Sequence, residues 1–259
     1  MKKNVIKSIL GFSAVLLFAG TVLSGCGKKD SKELSKKEIT VGVTAGPHQQ
    51  IMEEVAKQAK KDGLKIKIKS FTDYNTPNSA LSSGDLDANS YQTIPFLKDQ
   101  IKNKGYKFDQ AFKTVAYPMG VYSKKIKSLK DLKDGDSIAV PNDASNETRG
   151  LQLFEKAGII KLKKGVGQTA TKKDVVSNPK HLKIIELEAS QLPKQLGEVT
   201  AAAINTNFAM GAGLSINENA IFHEPLKNNP YPNVFVVQSG HKNDAVIKKI
   251  DKYYHSKQT

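Results

Sequence analysis

Strand-like and helix-like segments alternate along most of this 259-residue chain, and that alternation restricts the fold more than any other feature of the sequence. Residues 39–44 alternate as a strand does, and the segment after Pro47 places Ile51, Val55 and Ala59 at helical spacing. Strands that alternate with helices pack as layers of helix on sheet. The sequence therefore predicts an α/β fold.

The rest of the chain continues this pattern. Further strands are predicted at residues 65–71, 87–92, 137–140, 183–188, 199–204 and 234–238, and further helices at 78–83, 95–104, 145–157, 191–196 and 244–254. Two segments, 114–123 and 205–214, lack the pattern of a helical crossover, so we expect the chain to pass between two lobes there. This division places residues 38–116 and 210–259 in lobe I and residues 117–209 in lobe II.

The N-terminal segment has the form of an export signal. Three early lysines precede an uncharged run, residues 8–23, and then the sequence Leu23-Ser24-Gly25-Cys26. The run is shorter than the roughly 20 residues of a membrane-spanning helix. We expect a signal peptide at residues 1–25, lipidation of Cys26, and a flexible tether at 26–37. The predicted location is the outer face of the cell membrane, facing outside the cytoplasm, on a Gram-positive surface.

Composition and motifs argue against several classes of function. The net charge is +15, but the lysines are scattered singly and export separates the chain from nucleic acid, so no nucleic-acid partner is expected. Cys26 is the only cysteine, which excludes disulfides and cysteine-based zinc sites. The five histidines are dispersed, and the catalytic motifs HExxH and GxSxG are absent from the sequence. We expect no catalytic residues, no metal and no cofactor.

Arg149 is the strongest candidate for a binding residue. Lysine and arginine together number 40, and Arg149 is the only arginine. A guanidinium provides planar, two-point recognition of a carboxylate or phosphate that an ammonium does not. The residue follows a predicted strand and a loop of helix-capping residues, where free N–H groups also favour an anion. A salt bridge inside the protein is the alternative interpretation.

A series of short motifs resembles the methionine-binding lipoproteins that serve ABC importers. The motifs keep their order and spacing from about residue 39 to the last helix, and they include Phe71-Thr72-Asp73-Tyr74, Asp87-Ala88-Asn89, Tyr91-Gln92, Pro141-Asn142-Asp143, Ser145-Asn146-Glu147, Gln191-Leu192-Pro193, Ala203-Ile204-Asn205 and Asn229-Pro230-Tyr231. The resemblance implies a two-lobed periplasmic-binding-protein fold, type II-like, with the ligand in the cleft between the lobes. It also implies a non-enzymatic role, in which the chain captures methionine and delivers it to a permease and ATPase complex.

The same resemblance implies roles for seven residues. Arg149 would hold the ligand carboxylate, and Asn205 and Asn233 would bind the amino-acid end of the ligand. Tyr74 and Tyr91 would wall the side-chain pocket, with Asn146 and Gln92 nearby.

One residue departs from the family pattern. Thr93 stands where related proteins commonly have histidine. Because this change removes an imidazole from the pocket wall, a methionine-containing dipeptide or another apolar amino acid stays open as the ligand.

An anchored cell-wall hydrolase and an adhesin are the competing functions. The first requires a nucleophile–base pair or a metal, and the second is expected to show repeats or an exposed apolar patch.

Overall fold

The computed structural model describes residues 33–259, so the predicted signal peptide and the Cys26 lipidation site lie outside the described residues. The strands are β1 (Glu38–Thr44), β2 (Lys65–Phe71), β3 (Ala88–Thr93), β4 (Phe108–Ala116), β5 (Gly120–Tyr122), β6 (Ser137–Pro141), β7 (Lys161–Leu162), β8 (Val175–Ser177), β9 (Lys183–Leu187), β10 (Ala201–Ile204), β11 (Ala220–His223) and β12 (Pro232–Gln238). The α-helices are α1 (Pro47–Lys61), α2 (Thr76–Ser83), α3 (Ile94–Lys104), α4 (Ala144–Lys156), α5 (Thr206–Gly211) and α6 (Ala245–Tyr254). None of these helices has the length and apolarity needed to cross a membrane.

Lobe I is built on a five-stranded sheet in the order β2-β1-β3-β12-β4. Strands β2, β1 and β3 run parallel, and β12 is antiparallel to both of its neighbours. Strand β12 shows how helices cover both faces of this sheet. Its Phe235 and Val237 join the core under α1 and α6, whereas its Val234 and Val236 face the core under α2 and α3. Side chains that alternate between two buried faces explain why this strand reads as a continuous apolar run.

Lobe II is built on a second five-stranded sheet, in the order β11-β5-β10-β6-β9. On one face, Ile138 and Val140 of β6 pack with Phe154 of α4. On the other face, Ala139 packs with Leu192, which lies in a 3-10 segment, Ala189–Gly197. Strands β7 and β8 form a small separate hairpin. The predicted two-lobed α/β fold is confirmed.

Two short segments connect the sheets. The chain leaves the first sheet after Ala116 and enters the second at Gly120, inside the predicted crossing 114–123. It returns between His223 and Pro232. The two crossing segments are joined by a pair of hydrogen bonds: Glu224 N–H donates to Met119 O (3.0 Å), and Met119 N–H donates to the Glu224 carboxylate (2.8 Å).

The structure differs from the predicted lobe boundaries at the second crossing. Residues 205–214 do not return to lobe I, because α5 forms there and β11 then pairs antiparallel with β5. Residues up to His223 therefore belong to lobe II, and not only those up to 209. The predicted tether is also shorter than expected. The Leu34 N–H donates to the Asp244 carboxylate at 2.8 Å and its side chain packs on the lobe I core, so residues 34–37 are part of the domain.

Candidate ligand-binding site

A cavity lies between the two lobes, and the empty space within it and at its opening to solvent is about 370 Å³. Lobe I contributes residues from the carboxyl ends of β1 and β3, and lobe II contributes residues from α4 and from the end of β10. This is the edge at which open α/β sheets bind ligands. All seven residues singled out from the sequence line the cavity: Tyr74, Tyr91, Gln92, Asn146, Arg149, Asn205 and Asn233.

Arg149 projects from α4 to the crossing segments and forms a buried salt bridge there. Its Nε donates to Glu224 Oε1 (2.7 Å) and its Nη2 donates to Glu224 Oε2 (2.6 Å) and to Tyr117 O (2.7 Å). Its guanidinium carbon lies 4.3 Å from the centre of the Tyr231 ring. The internal salt bridge, the alternative interpretation of this arginine, is thus present. Among residues 33–259, Nη1 donates no hydrogen bond, so this nitrogen is available to a ligand.

Glu224 is held in its ionised form. Burial raises the pKa of its carboxyl, but the hydrogen bonds and charge of Arg149, with further hydrogen bonds from Asn229 and the Met119 N–H, lower the pKa below its usual range. The two residues are 5% and 3% exposed, respectively. The pair is therefore electrically neutral, and Arg149 lines the cavity as one member of that neutral pair.

An amide relay fixes Asn205. Asp143 caps α4 by accepting from the Asn146 backbone N–H (2.9 Å) and also accepts from the Asn146 side-chain amide (3.0 Å). Burial raises the Asp143 pKa to about 6. The Oδ1 of Asn146 in turn accepts from Asn205 Nδ2 (2.9 Å). Asn205 Oδ1 consequently faces away from this relay, and it is a buried acceptor without a hydrogen-bond partner among the described residues.

Asn233 presents a second acceptor from lobe I. Its Nδ2 donates to Val115 O at 3.0 Å, on the neighbouring strand β4. Asn233 lines the cavity, and its Oδ1 accepts no hydrogen bond from the described residues. Asn205 and Asn233 thus bring to the cavity, from opposite lobes, two amide oxygens that no described residue binds.

Aromatic rings form the remaining wall. Tyr74, Tyr91 and Phe96 pack with ring centres 5.9–6.1 Å apart, and the Tyr91 hydroxyl donates to Tyr74 O at 2.9 Å. The Tyr74 hydroxyl donates across the cleft to Asn207 Oδ1. Burial raises the pKa of both tyrosines, so they stay neutral. The result is an uncharged, largely apolar surface.

Gln92 and Thr93 line the cavity through side chains that are bonded within lobe I. Gln92 Nε2 donates to Asn78 Oδ1 (2.7 Å) and Asn89 Oδ1 (2.8 Å), in a buried amide network behind the aromatic wall. Thr93 Oγ1 caps α3 by accepting from the Phe96 N–H at 3.4 Å. Both side chains fix the position of the aromatic residues next to them.

The sequence interpretation missed several lining residues: His48, Phe96, Tyr117, Thr206 and Asn207. His48 is 2% exposed, and burial lowers its pKa to about 4, which keeps the imidazole neutral. Its Nδ1 has no partner among the described residues, and its ring packs edge-on against Tyr117. Its position after a strand that ends at the ligand edge could have identified it, since the same rule drew attention to Arg149.

Within residues 33–259, no group of three or more His, Cys, Asp or Glu side chains is placed to hold a metal ion.

Residues 39–259 match the family model described as NlpA lipoprotein. The chain belongs to the NlpA lipoprotein family. Membership in this family makes it an extracytoplasmic lipoprotein anchored at a membrane, with the two-lobed fold described above.

Relatives of this NlpA lipoprotein include named binding proteins. The D-methionine-binding lipoprotein MetQ of Salmonella typhimurium is 47% identical over 249 residues, 95% of this chain and 90% of the relative. A nutrient-binding protein from Burkholderia cenocepacia, solved with methionine bound, is 50% identical with a TM-score of 0.82, over 85% of this chain and 92% of that one. A periplasmic substrate-binding protein of an ABC transporter from Coxiella burnetii is 49% identical with a TM-score of 0.81, over 85% and 93%.

Proposed function

We propose that this NlpA lipoprotein is the solute-binding component of an ABC importer, that it captures methionine between its lobes, and that it delivers it to a permease and ATPase complex. The observation that carries the proposal is that one cavity is lined by the Arg149 guanidinium, by the amide side chains of Asn205 and Asn233, and by an aromatic wall. The names of its relatives, which include methionine-bound and ABC-transporter binding proteins, support the same conclusion.

The polar end of the cavity fits the backbone of an amino acid. The Nη1 of Arg149 would donate to the ligand carboxylate, and Asn205 Oδ1 and Asn233 Oδ1 would accept from its ammonium. A zwitterion carries no net charge, and the Arg149–Glu224 pair that faces it carries none either. Matching a neutral ligand to a neutral wall avoids an uncompensated buried charge. Asn146 and Gln92 would act one step removed, by orienting Asn205 and the aromatic wall.

The aromatic end fits an unbranched apolar side chain. Tyr74, Tyr91 and Phe96 would enclose it, and a thioether makes favourable contacts with aromatic rings. Methionine is the ligand we propose. A methionine-containing dipeptide or another apolar amino acid is the alternative that Thr93, in place of histidine, keeps open.

We further propose that Cys26 carries the lipid anchor and that the protein faces outward from a Gram-positive cell membrane.

Mass spectrometry of the ligand released from the denatured protein tests this function directly, and the expected species is methionine. Calorimetric titration of the emptied protein with L-methionine, D-methionine and glycyl-methionine then ranks the ligands. The Asn205→Ala variant should bind methionine roughly ten- to 150-fold more weakly, because one buried hydrogen bond to a charged group is lost.

Asn142→Ala is the control, since Asn142 is an asparagine of the same lobe that is exposed, lies outside the cavity and precedes α4 as Asn205 precedes α5. It should bind as the wild type does. Equal affinity in Asn205→Ala, or tighter binding of the dipeptide than of either enantiomer of methionine, would contradict the proposal.

A further inference from the structure

Asn207, at the start of α5 in lobe II, is a buried polar residue that the binding roles above do not use. It lines the cavity and is 5% exposed. Its Oδ1 accepts from the Tyr74 hydroxyl of lobe I, so the amide helps to hold the lobes together. Its Nδ2 has no hydrogen-bond partner among residues 33–259. Buried side-chain donors are nearly always bonded, so an unpaired one at a binding cavity points to a ligand atom.

The contact with Tyr74 determines what this amide offers and where it lies. Because the tyrosine hydroxyl donates to Oδ1, the free atom is the N–H donor and not the acceptor. Tyr74 packs against Phe208 of α5, with ring centres 4.7 Å apart, and against Tyr91 and Phe96. The free donor is therefore next to the aromatic wall that would enclose the ligand side chain.

We propose that Asn207 is a specificity-determining residue and that its Nδ2–H donates to the thioether sulfur of the ligand. The inference rests on the proposed function. An ammonium has no lone pair to accept a hydrogen bond, and the carboxylate would lie at Arg149. The sulfur is the acceptor that methionine would place beside the aromatic wall, where the free donor lies. Thioether sulfur is a weak acceptor. The selectivity comes mainly from ligands that lack it, because they leave the buried N–H unpaired.

Norleucine is the ligand that isolates this effect, since it replaces the sulfur with a methylene and keeps the chain length. The emptied wild-type protein should bind methionine roughly tenfold more tightly than norleucine of the same handedness. In Asn207→Leu, which keeps a similar volume without a donor, the two affinities should agree within about twofold. Asn207→Ala gives the same comparison without the bulk of leucine, and melting of the ligand-free variants verifies that they fold.

Tyr74→Phe is the control for the contact between the lobes. Tyr74→Phe removes the hydrogen bond to Asn207 Oδ1 but leaves the Nδ2–H donor of Asn207. It should therefore lower the affinity for both methionine and norleucine and keep the preference for methionine. If the preference for methionine over norleucine survives in both Asn207 variants, or if the wild type shows no preference, the role of Asn207 is overturned and the proposed function is not affected. A wild type that binds neither ligand would overturn the proposed function itself.

Discussion

Removing the Arg149 guanidinium should destabilise the ligand-free protein as well as weaken ligand binding. Arg149 and Glu224 form a two-point salt bridge at 5% and 3% exposure, so Arg149→Ala leaves a carboxylate buried without its cation. Breaking a buried pair in this way costs about 3–5 kcal/mol. In a protein of this size about 1 kcal/mol lowers Tm by roughly 2–4 °C, so the expected decrease is roughly 6–20 °C.

A double variant separates stability from binding. In Arg149→Met with Glu224→Gln neither charge is left, and the new amide oxygen still accepts from the Met119 N–H that Glu224 binds at 2.8 Å. The double variant should therefore regain most of the stability that Arg149→Ala loses. It should not regain ligand binding, because the donor to the ligand carboxylate is absent. Truncating one partner of a buried charge pair costs about 2–5 kcal/mol, or roughly thirty- to several-thousand-fold in affinity.

Thermal and urea unfolding of the ligand-free proteins, followed by calorimetric titration with methionine, measure both quantities. Lys156→Ala is the control, because Lys156 lies on the same helix and is exposed. It should change neither. A structural role of the Arg149–Glu224 pair is refuted if Arg149→Ala melts within about 2 °C of the wild type, or if the double variant is as unstable as Arg149→Ala.

Three further predictions follow from the anchor, the cleft and the α4 cap. Cys26→Ser should leave the domain folded but release it from membranes, because acyl chains supply most of the anchoring; retention in the membrane fraction after a high-salt wash would contradict this. Methionine should decrease the radius of gyration measured by small-angle scattering, because only the closed form contacts ligand from both lobes; an unchanged radius in a sample shown to be empty would contradict it. Asp143 has a folded-state pKa raised to about 6, so its carboxyl costs no stability when protonated at low pH and destabilises the fold as it ionises toward pH 7. Asp143→Asn keeps a capping side chain that does not ionise. The free energy of unfolding of this variant, minus that of the wild type, should therefore increase between pH 4 and pH 7. A constant difference would exclude a destabilising effect of the ionised Asp143.

The helices and strands that were predicted correctly have strong local signals. Strand β1 and helix α1 have clear periodicity and a Gly46-Pro47 boundary, and α4 has a capping aspartate, Asp143. Strand β4 was not predicted because its buried and exposed residues do not alternate regularly. Its pairing with β12 also joins residues more than 100 positions apart, which no local pattern indicates. Strand β11 is four residues long, too short for a periodic signal, and its place at the edge of the second sheet depends on β5.

The candidate site was predictable to a similar degree. The seven residues could be assigned to one site because their motifs resemble those of a known family, and all seven line the cavity. The residue pattern alone drew attention only to Arg149. Their hydrogen-bond partners were not predictable. Glu224 is 75 positions from Arg149 and follows a short edge strand, and nothing in its local sequence distinguishes it from the other acidic residues. Asn207 likewise becomes a candidate only when the folded structure shows that its Nδ2 is buried and has no hydrogen-bond partner among the described residues.

The geometry of Arg149 also explains why its two interpretations do not exclude each other. A guanidinium has five N–H donors on three nitrogens. Nε and Nη2 bind Glu224 and Tyr117 O, which belong to the two segments that cross between the lobes, and Nη1 makes no hydrogen bond to the described residues. A lysine has one nitrogen and could not bind both crossing segments and a ligand carboxylate in this fixed, planar arrangement. In a chain that otherwise uses lysine for every cation, the salt bridge together with the proposed contact to the ligand would account for arginine at position 149.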